Sequence, residues 1–502
     1  MLSSLELRLR EYVRVVESLL AQERTTVGQP GTDRPGSGLS EEGRLRRLAE
    51  VLEEQQEFAA LVRATADEFS PSDFEKGIEG LWESPVKNFF RRSGFYLNTW
   101  EGKPIHADSI GPLFRQAFGP GQVTATYLAP LEGVEFAEDR MDFGPFQVRR
   151  FDDPRELDAI LENRIRRLFY PWPAVDAGAL RWHWLLLSSD QKARTGAFDP
   201  GLGVMNAEIT PSVRVAYSRF PEALAQSLRT LFLFPWHRVA TSPVEIQPAA
   251  SGRQRDPWAG PQLPHIPFHL EATDLLIGQP SPAPGLSALE WDTYEIGGRL
   301  VREPLRWLFL NSQQTQDFCT FVRETAAMMV EVVDSRPPGW RFMQVGLDFL
   351  VKACLTGGLE GLLWYTTAIE ALVGEKTESG LTKLLERRVK RIFGGTEGQR
   401  KNVGKSFNEL YDLRSRLVHG NTKLADRKID VGHLGEAYEM ARSVALWMLR
   451  YLRAIRAGLG ADVGELPSRE DLLRVLDMDE GSRLRVSKIL ASLPGGFPDL
   501  SR

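Results

Sequence analysis

Apolar residues recur at helical spacing toward both ends of this chain and alternate with polar ones in its middle. Near the start, Leu5, Leu9, Val13, Val16 and Leu20 fall on one face with charges between them, which predicts an amphipathic helix. The stretch GQPGTDRPGSG at 28–38 predicts a linker, and a second helix is expected from about Ser40 to Phe69 with Leu45, Leu48, Leu52 and Leu61 turned inward. From about 75 to 335 the β-branched and aromatic content of 122–131, 181–189, 211–220 and 289–298 predicts strands. Asp153-Pro154 supplies an N-cap and first helical residue for a helix reaching Phe169, and Pro221 opens another. The middle is therefore read as an α+β domain, with long loops around 241–288.

From 341 onward five helical segments follow one another. Leu347, Leu350, Val351 and Cys354 form the first, and Leu362, Thr366, Ile369 and Val373 the second. Leu381, Leu384, Leu385, Val389 and Ile392 form the third. Ser406 and Glu409 match a capping box and Gly420 a left-handed stop, which predicts a helix from about Phe407 to His419. The last stripe, from Leu434 to Ile455, alternates spacings of four and three, as a bundle or dimer seam does. Ser468 and Asp471 mark the start of a short C-terminal helix.

Composition sharpens this outline. The chain holds 31 prolines, yet none lies between Pro338 and Pro467, where average usage would place about eight. Proline is excluded from helix interiors because it lacks the N–H and collides with the preceding turn, so the gap marks an all-helical module. Four segments result: helices over 1–74, a mixed domain over 75–335, a bundle over 340–458 and a helical tail over 459–502. The fold class expected is multidomain α+β ending in an all-α bundle.

The net charge of −5 excludes a protein coated in positive charge, so any nucleic-acid contact must be local. Two cysteines are too few for a disulfide scaffold or a cysteine-built zinc site, and no apolar run is long enough to span a membrane. A cytoplasmic protein without membrane contact is the expectation. His265 and His269 have metal-ligand spacing, but Pro267 between them breaks the helix that would align them, so no metal is expected. The glycine clusters lack P-loop or G-x-G-x-x-G spacing, and no cofactor is expected.

Local charge is different. Lys383, Arg387, Arg388, Lys390, Arg391, Lys401 and Lys405 lie close together in sequence, with Arg400, Lys423 and Lys428 nearby and few acids among them. Such a patch could neutralise RNA phosphates; its alternative is a solvated helix face. Beside it stands NELYDLRSRLVHG, in which four residues separate Arg414 from His419 and Ser415 follows the arginine.

With the upstream segments WYTTAIEALVG, carrying Glu370, and LLERRVKRIFG, this phrase resembles the HEPN superfamily, and within it the Apea-like HEPN domains. The resemblance covers roughly 340–458. It implies a HEPN helical bundle and metal-independent RNA cleavage, in which a 2′-hydroxyl attacks the adjacent phosphate across a homodimeric site. It implies His419 as acid or base and Arg414 as phosphate clamp, with Ser415 and Glu370 as accessories. A histidine titrates near neutrality and an arginine grips phosphoryl oxygens, which suits both roles. The layout is similar to that of anti-phage abortive-infection effectors, with 75–335 sensing a trigger ligand or protein. The competing expectation is a catalytically inactive HEPN fold that binds RNA or protein and serves for dimerisation.

Overall fold

The structure, a computed structural model, describes residues 3–27, 39–70, 79–103, 105–170, 175–194, 220–239, 262–278, 286–334, 339–356, 358–375, 380–419, 431–459 and 467–478. The expected linker at 28–38, nearly all of the expected strand at 211–220, and Gly420, Lys423 and Lys428 lie outside them. The described part is a mixed α+β protein with helices at both ends.

The N-terminal layer holds α1 (Ser4–Val27), α2 (Glu41–Glu53), α3 (Gln56–Phe69), α4 (Glu79–Arg92), α5 (Phe95–Trp100) and α6 (Ala107–Phe118). The single helix expected from Ser40 to Phe69 is two helices. Gln55 takes an extended conformation (φ −69°, ψ 151°), and the turn lets Leu52 and Phe58 reach the same core. That core, built on Leu5, Tyr12, Trp82, Phe89, Phe90 and Phe114, runs past the expected boundary at 74 and takes in Phe169, Leu275 and Ile277 as well.

The middle contains β1 (Gly121–Leu131), β2 (Gly133–Phe136), β3 (Arg140–Asp142), β4 (Phe146–Arg149), α7 (Pro154–Ile160), α8 (Asn163–Phe169), α9 (Ala177–Leu180), β5 (Trp184–Arg194), α10 (Glu222–Leu231) and β6 (Leu270–Thr273). An antiparallel sheet runs in the order β3-β4-β5-β1-β6. Strand alternation sends Ala125, Tyr127 and Ala129 into a large core on one face and Leu128 into a small core on the other. Asp153 caps α7 as its sequence predicts, accepting from the Arg155 N–H at 2.9 Å. The helix does not continue to Phe169, because Glu162 is left-handed (φ 50°) and its carboxylate turns to Arg92 at 2.9 Å. Pro221 stands at the N-cap of α10.

Then come β7 (Trp291–Ile296), β8 (Arg299–Pro304), β9 (Arg306–Leu310) and α11 (Ser312–Met329). Strands β2 and β9 pair in parallel, while β7 and β8 form a separate hairpin. The C-terminal bundle comprises α12 (Arg341–Leu355), α13 (Gly358–Val373), α14 (Leu381–Phe393), α15 (Glu397–Val418) and α16 (Val431–Leu459), with α17 (Arg469–Asp477) against it. The expected capping box at Ser406 and Glu409 is absent: α15 starts ten residues earlier, at a capping box formed by Thr396 and Gln399. The apolar face simply continues through, with Val403 half-buried and Gly404 and Phe407 buried.

One core unites the sheet's inner face, α10, α11 and the bundle, from Ala125 to Leu476. The boundary expected near 335–340 therefore separates patterns in the sequence but does not divide the packing.

Candidate functional site

The helices α13 and α15 pack side by side, and their facing residues make the site around Arg414. Helix α13 presents Glu370 one turn before its end, and α15 presents Tyr411 and Arg414, which are neighbours at i and i+3. The Tyr411 hydroxyl donates to Glu370 Oε1 at 2.6 Å, and Arg414 Nη2 donates to Glu370 Oε2 at 3.3 Å. The guanidinium lies 5.5 Å from the centre of the Tyr411 ring, within reach of the electron-rich face. Burial, reinforced by the hydrogen bond and charge of Glu370, pushes the Tyr411 hydroxyl up to about 12. Arg414 keeps 26% of its side chain exposed, enough to meet a ligand.

His419 is the C-cap of α15, exposed, with its N–H donating to the Ser415 carbonyl at 3.0 Å. Five positions separate it from Arg414, about 140° around the helix axis. Glu370 is thus brought to Arg414, while His419 stands apart at the helix end. Asp412, a second possible partner for Arg414, pairs with Arg416 at 2.5 Å instead.

Tyr411 reads from sequence as a packing residue. It does stack on Phe407 at 5.6 Å, but it is also a donor to Glu370. The i, i+3 spacing of a tyrosine and an arginine was the available signal. No sequence signal announces Arg469, which donates from α17 to the carbonyls of Glu370 (3.4 Å) and Ala371 (2.8 Å).

The basic residues divide into two sets. Arg388 is 1% exposed; it donates to the Val373 carbonyl at 2.8 Å and pairs with Glu375 at 2.7 Å and Asp477 at 2.5 Å. Arg387 pairs with Asp477 at 2.7 Å, and Arg391 donates to the Leu476 carbonyl. The expectation that these three arginines offer charge to phosphates is corrected for Arg388, which is enclosed, and reduced for the other two, which fasten α17. Lys390 pairs with Glu386 and packs its stem against Gly404. Lys383, Lys401 and Lys405 are exposed, Lys405 lying 3.8 Å from Glu409.

No family model, curated protein or solved structure matches this chain. The geometry must carry the functional argument. Among the described residues no helix is long and apolar enough to cross a membrane. No group of three or more potential metal-ligating side chains occurs among them either. His265 and His269 serve different neighbours: His265 Nδ1 lies 2.8 Å from buried Glu132, and the His269 ring lies 5.7 Å from that of Phe220. His183 is buried against Trp291 at 5.0 Å. Burial holds both His183 and His269 down at about 4.

Proposed function

We propose that this chain is a metal-independent endoribonuclease of HEPN type, with Arg414 and His419 at its reacting centre. One observation carries the reading: Arg414 is held by a carboxylate and an aromatic ring from adjacent helices yet stays partly exposed, on the helix whose end presents His419. An arginine so oriented suits a phosphate, because its planar donors match phosphoryl oxygens.

In the proposed reaction the ribose O2′ bonds to phosphorus, the P–O5′ bond breaks, and the products end in a 2′,3′-cyclic phosphate and a 5′-hydroxyl. His419 moves the proton at the attacking or leaving oxygen, and Arg414 stabilises charge on the non-bridging oxygens. Glu370 positions Arg414, and Ser415 lies next to it on the same helix. Lys383, Lys401 and Lys405 are the exposed lysines available to the RNA backbone. Because Arg414 and His419 diverge around one helix, the reading requires two copies whose motifs share a cleft. The middle region would then report a trigger ligand or protein, and the role would be a regulated toxin or anti-phage effector.

The test is cleavage of labelled RNA by the full chain in a chelator, with analysis of the new ends. His419→Ala and Arg414→Ala should each lower the rate by about a hundredfold or more. Undiminished cleavage by both variants, or products with 3′-hydroxyl ends, would sink the reading. A second reading, a non-catalytic binding scaffold, draws support from the arginines of α14 that pair within the chain. It expects RNA to be bound and left intact, with equal affinity in wild type and His419→Ala.

A further inference from the structure

The hairpin of β7 and β8 meets the small core only at its base, through Trp291, and projects from it. Its strands pair from Trp291–Pro304 to Ile296–Arg299, closed by Gly297 and Gly298 with φ of 55° and 76°. Two left-handed residues in a two-residue loop make a tight turn that matches strand twist. Most of the hairpin is exposed, including Ile296 at 61% and Leu300 at 79%. Among the described residues neither outer edge pairs with a third strand. Such an edge is a template for another strand unless its charges forbid it.

The two edges differ in that respect. Strand β7 carries Asp292 and Glu295 and no cation, so two copies of it repel one another. Strand β8 carries Arg299, Arg302 and Glu303. Across a two-residue turn the closing pair is hydrogen-bonded, so the backbone groups of 299, 301 and 303 point inward to β7. The Leu305 N–H donates to the Glu290 carbonyl at 3.2 Å, continuing this alternation past the strand ends. The groups of Leu300 and Arg302 therefore point outward. Pro304, without an N–H, ends the usable edge.

We propose that β8 is the edge through which two copies of this chain pair, antiparallel about a two-fold axis at Val301. In this register Leu300 exchanges backbone hydrogen bonds with Arg302 of the second copy, and the reverse, about four in all. Arg299 lies opposite Glu303 of the second copy, twice, at positions where facing side chains approach closely. Leu300 comes to rest beside the stem of Arg302, whose guanidinium lies 5.3 Å from the Trp291 ring. Strand alternation puts Glu303 on the same face of β8 as Arg299, the face that Tyr294 shares across the hairpin. Moving the axis one residue toward Arg302 would set Arg302 against itself; moving it toward Leu300 would leave Arg299 opposite Val301.

The pairing stands independently of any RNA chemistry and is read by association alone. Sedimentation of the full chain should show a reversible dimer. Arg299→Glu and Glu303→Arg should each weaken it on the order of tenfold by setting like charges opposite. The double variant should return it to near the wild-type constant. Under mild oxidation Val301→Cys should give a disulfide-linked dimer absent from wild type, since facing residues without hydrogen bonds lie about 4.5 Å apart at Cα. Ile296→Cys, more exposed but far from the axis, should form no disulfide-linked dimer; random collision would favour it over position 301. A monomeric wild type, a dimer indifferent to Arg299→Glu, open-ended polymers, or equal crosslinking at 296 and 301 would overturn the proposal.

Discussion

Arg414 has a partner, and that partner's environment decides how firmly it is held. Removing the Tyr411 hydroxyl with Tyr411→Phe leaves Glu370 with one donor fewer in a partly buried place. A loss of about 1 kcal/mol is expected in urea unfolding, as for an ordinary hydrogen bond. One buried and one half-buried histidine set a pH dependence. His183 and His269 have folded values near 4, below the 6.5 of an exposed histidine. Their contribution to stability is complete above about pH 6.5 and declines as the pH falls toward 4, because only the unfolded chain takes up protons there. Burial raises Glu132, so its effect has the opposite sign: as the pH falls the folded state takes up its proton first. Unfolding free energy should thus drop between pH 7 and 4.5, and His269→Phe should make that drop shallower by on the order of 1 to 3 kcal/mol. An unchanged slope in the variant would show that His269 is not held neutral.

Helix packing in the bundle depends on close approaches that the apolar stripes do not disclose. Gly346 of α12 lies against Leu372 of α13, where an added Cβ would sit 2.5 Å from the leucine's Cγ and Cδ2. Gly346→Ala should therefore destabilise by about 1 to 3 kcal/mol through overpacking, despite the better helix propensity of alanine. Arg388 is the other test at this scale. Arg388→Ala removes the common partner of Asp477 and Glu375 and the donor to the Val373 carbonyl, and a loss of about 1 to 3 kcal/mol is expected in chemical denaturation. Lys401→Ala, at an exposed position, should change stability by no more than about 0.5 kcal/mol. The sequence distinguishes these two cations poorly because Asp477 arrives from 89 residues away. By contrast, Leu347, Leu362, Leu385 and Leu434 are legible because each belongs to a repeat within its own helix. The start of α15 is not legible locally for a related reason: Ser406 with Glu409 and Thr396 with Gln399 offer equivalent local chemistry, and the continuing apolar face selects the earlier one.

For the whole molecule, composition located the helical module by its missing prolines but could not show that its core continues into the sheet. Phe136, Trp236 and Phe318 belong to the same buried cluster as Leu347 and Leu452. A fragment beginning at residue 339 would expose the surface that α10 and α11 cover. Limited proteolysis should accordingly yield no stable 340–458 product, and that fragment expressed alone should aggregate, whereas a fragment beginning near 120 should retain more helical signal. A soluble, cooperatively folding 340–458 fragment would contradict this view of the core.

The end of α10 adds a constraint in time. The carbonyls of Phe232 and Phe234 accept from Tyr438 Oη, at 3.2 and 2.7 Å, and that of Leu233 accepts from Arg442 at 3.1 Å. Arg442 lies 209 residues downstream of Leu233. At ordinary translation speeds of about 5 to 20 residues per second, that separation is roughly 10 to 40 seconds on the ribosome. For most of that interval, once β6 has been made, the nascent chain has the strands of its sheet but not the donors that complete the turn after α10. The middle region of this protein must wait for α16, so a pause or truncation late in synthesis would leave it unfinished as well.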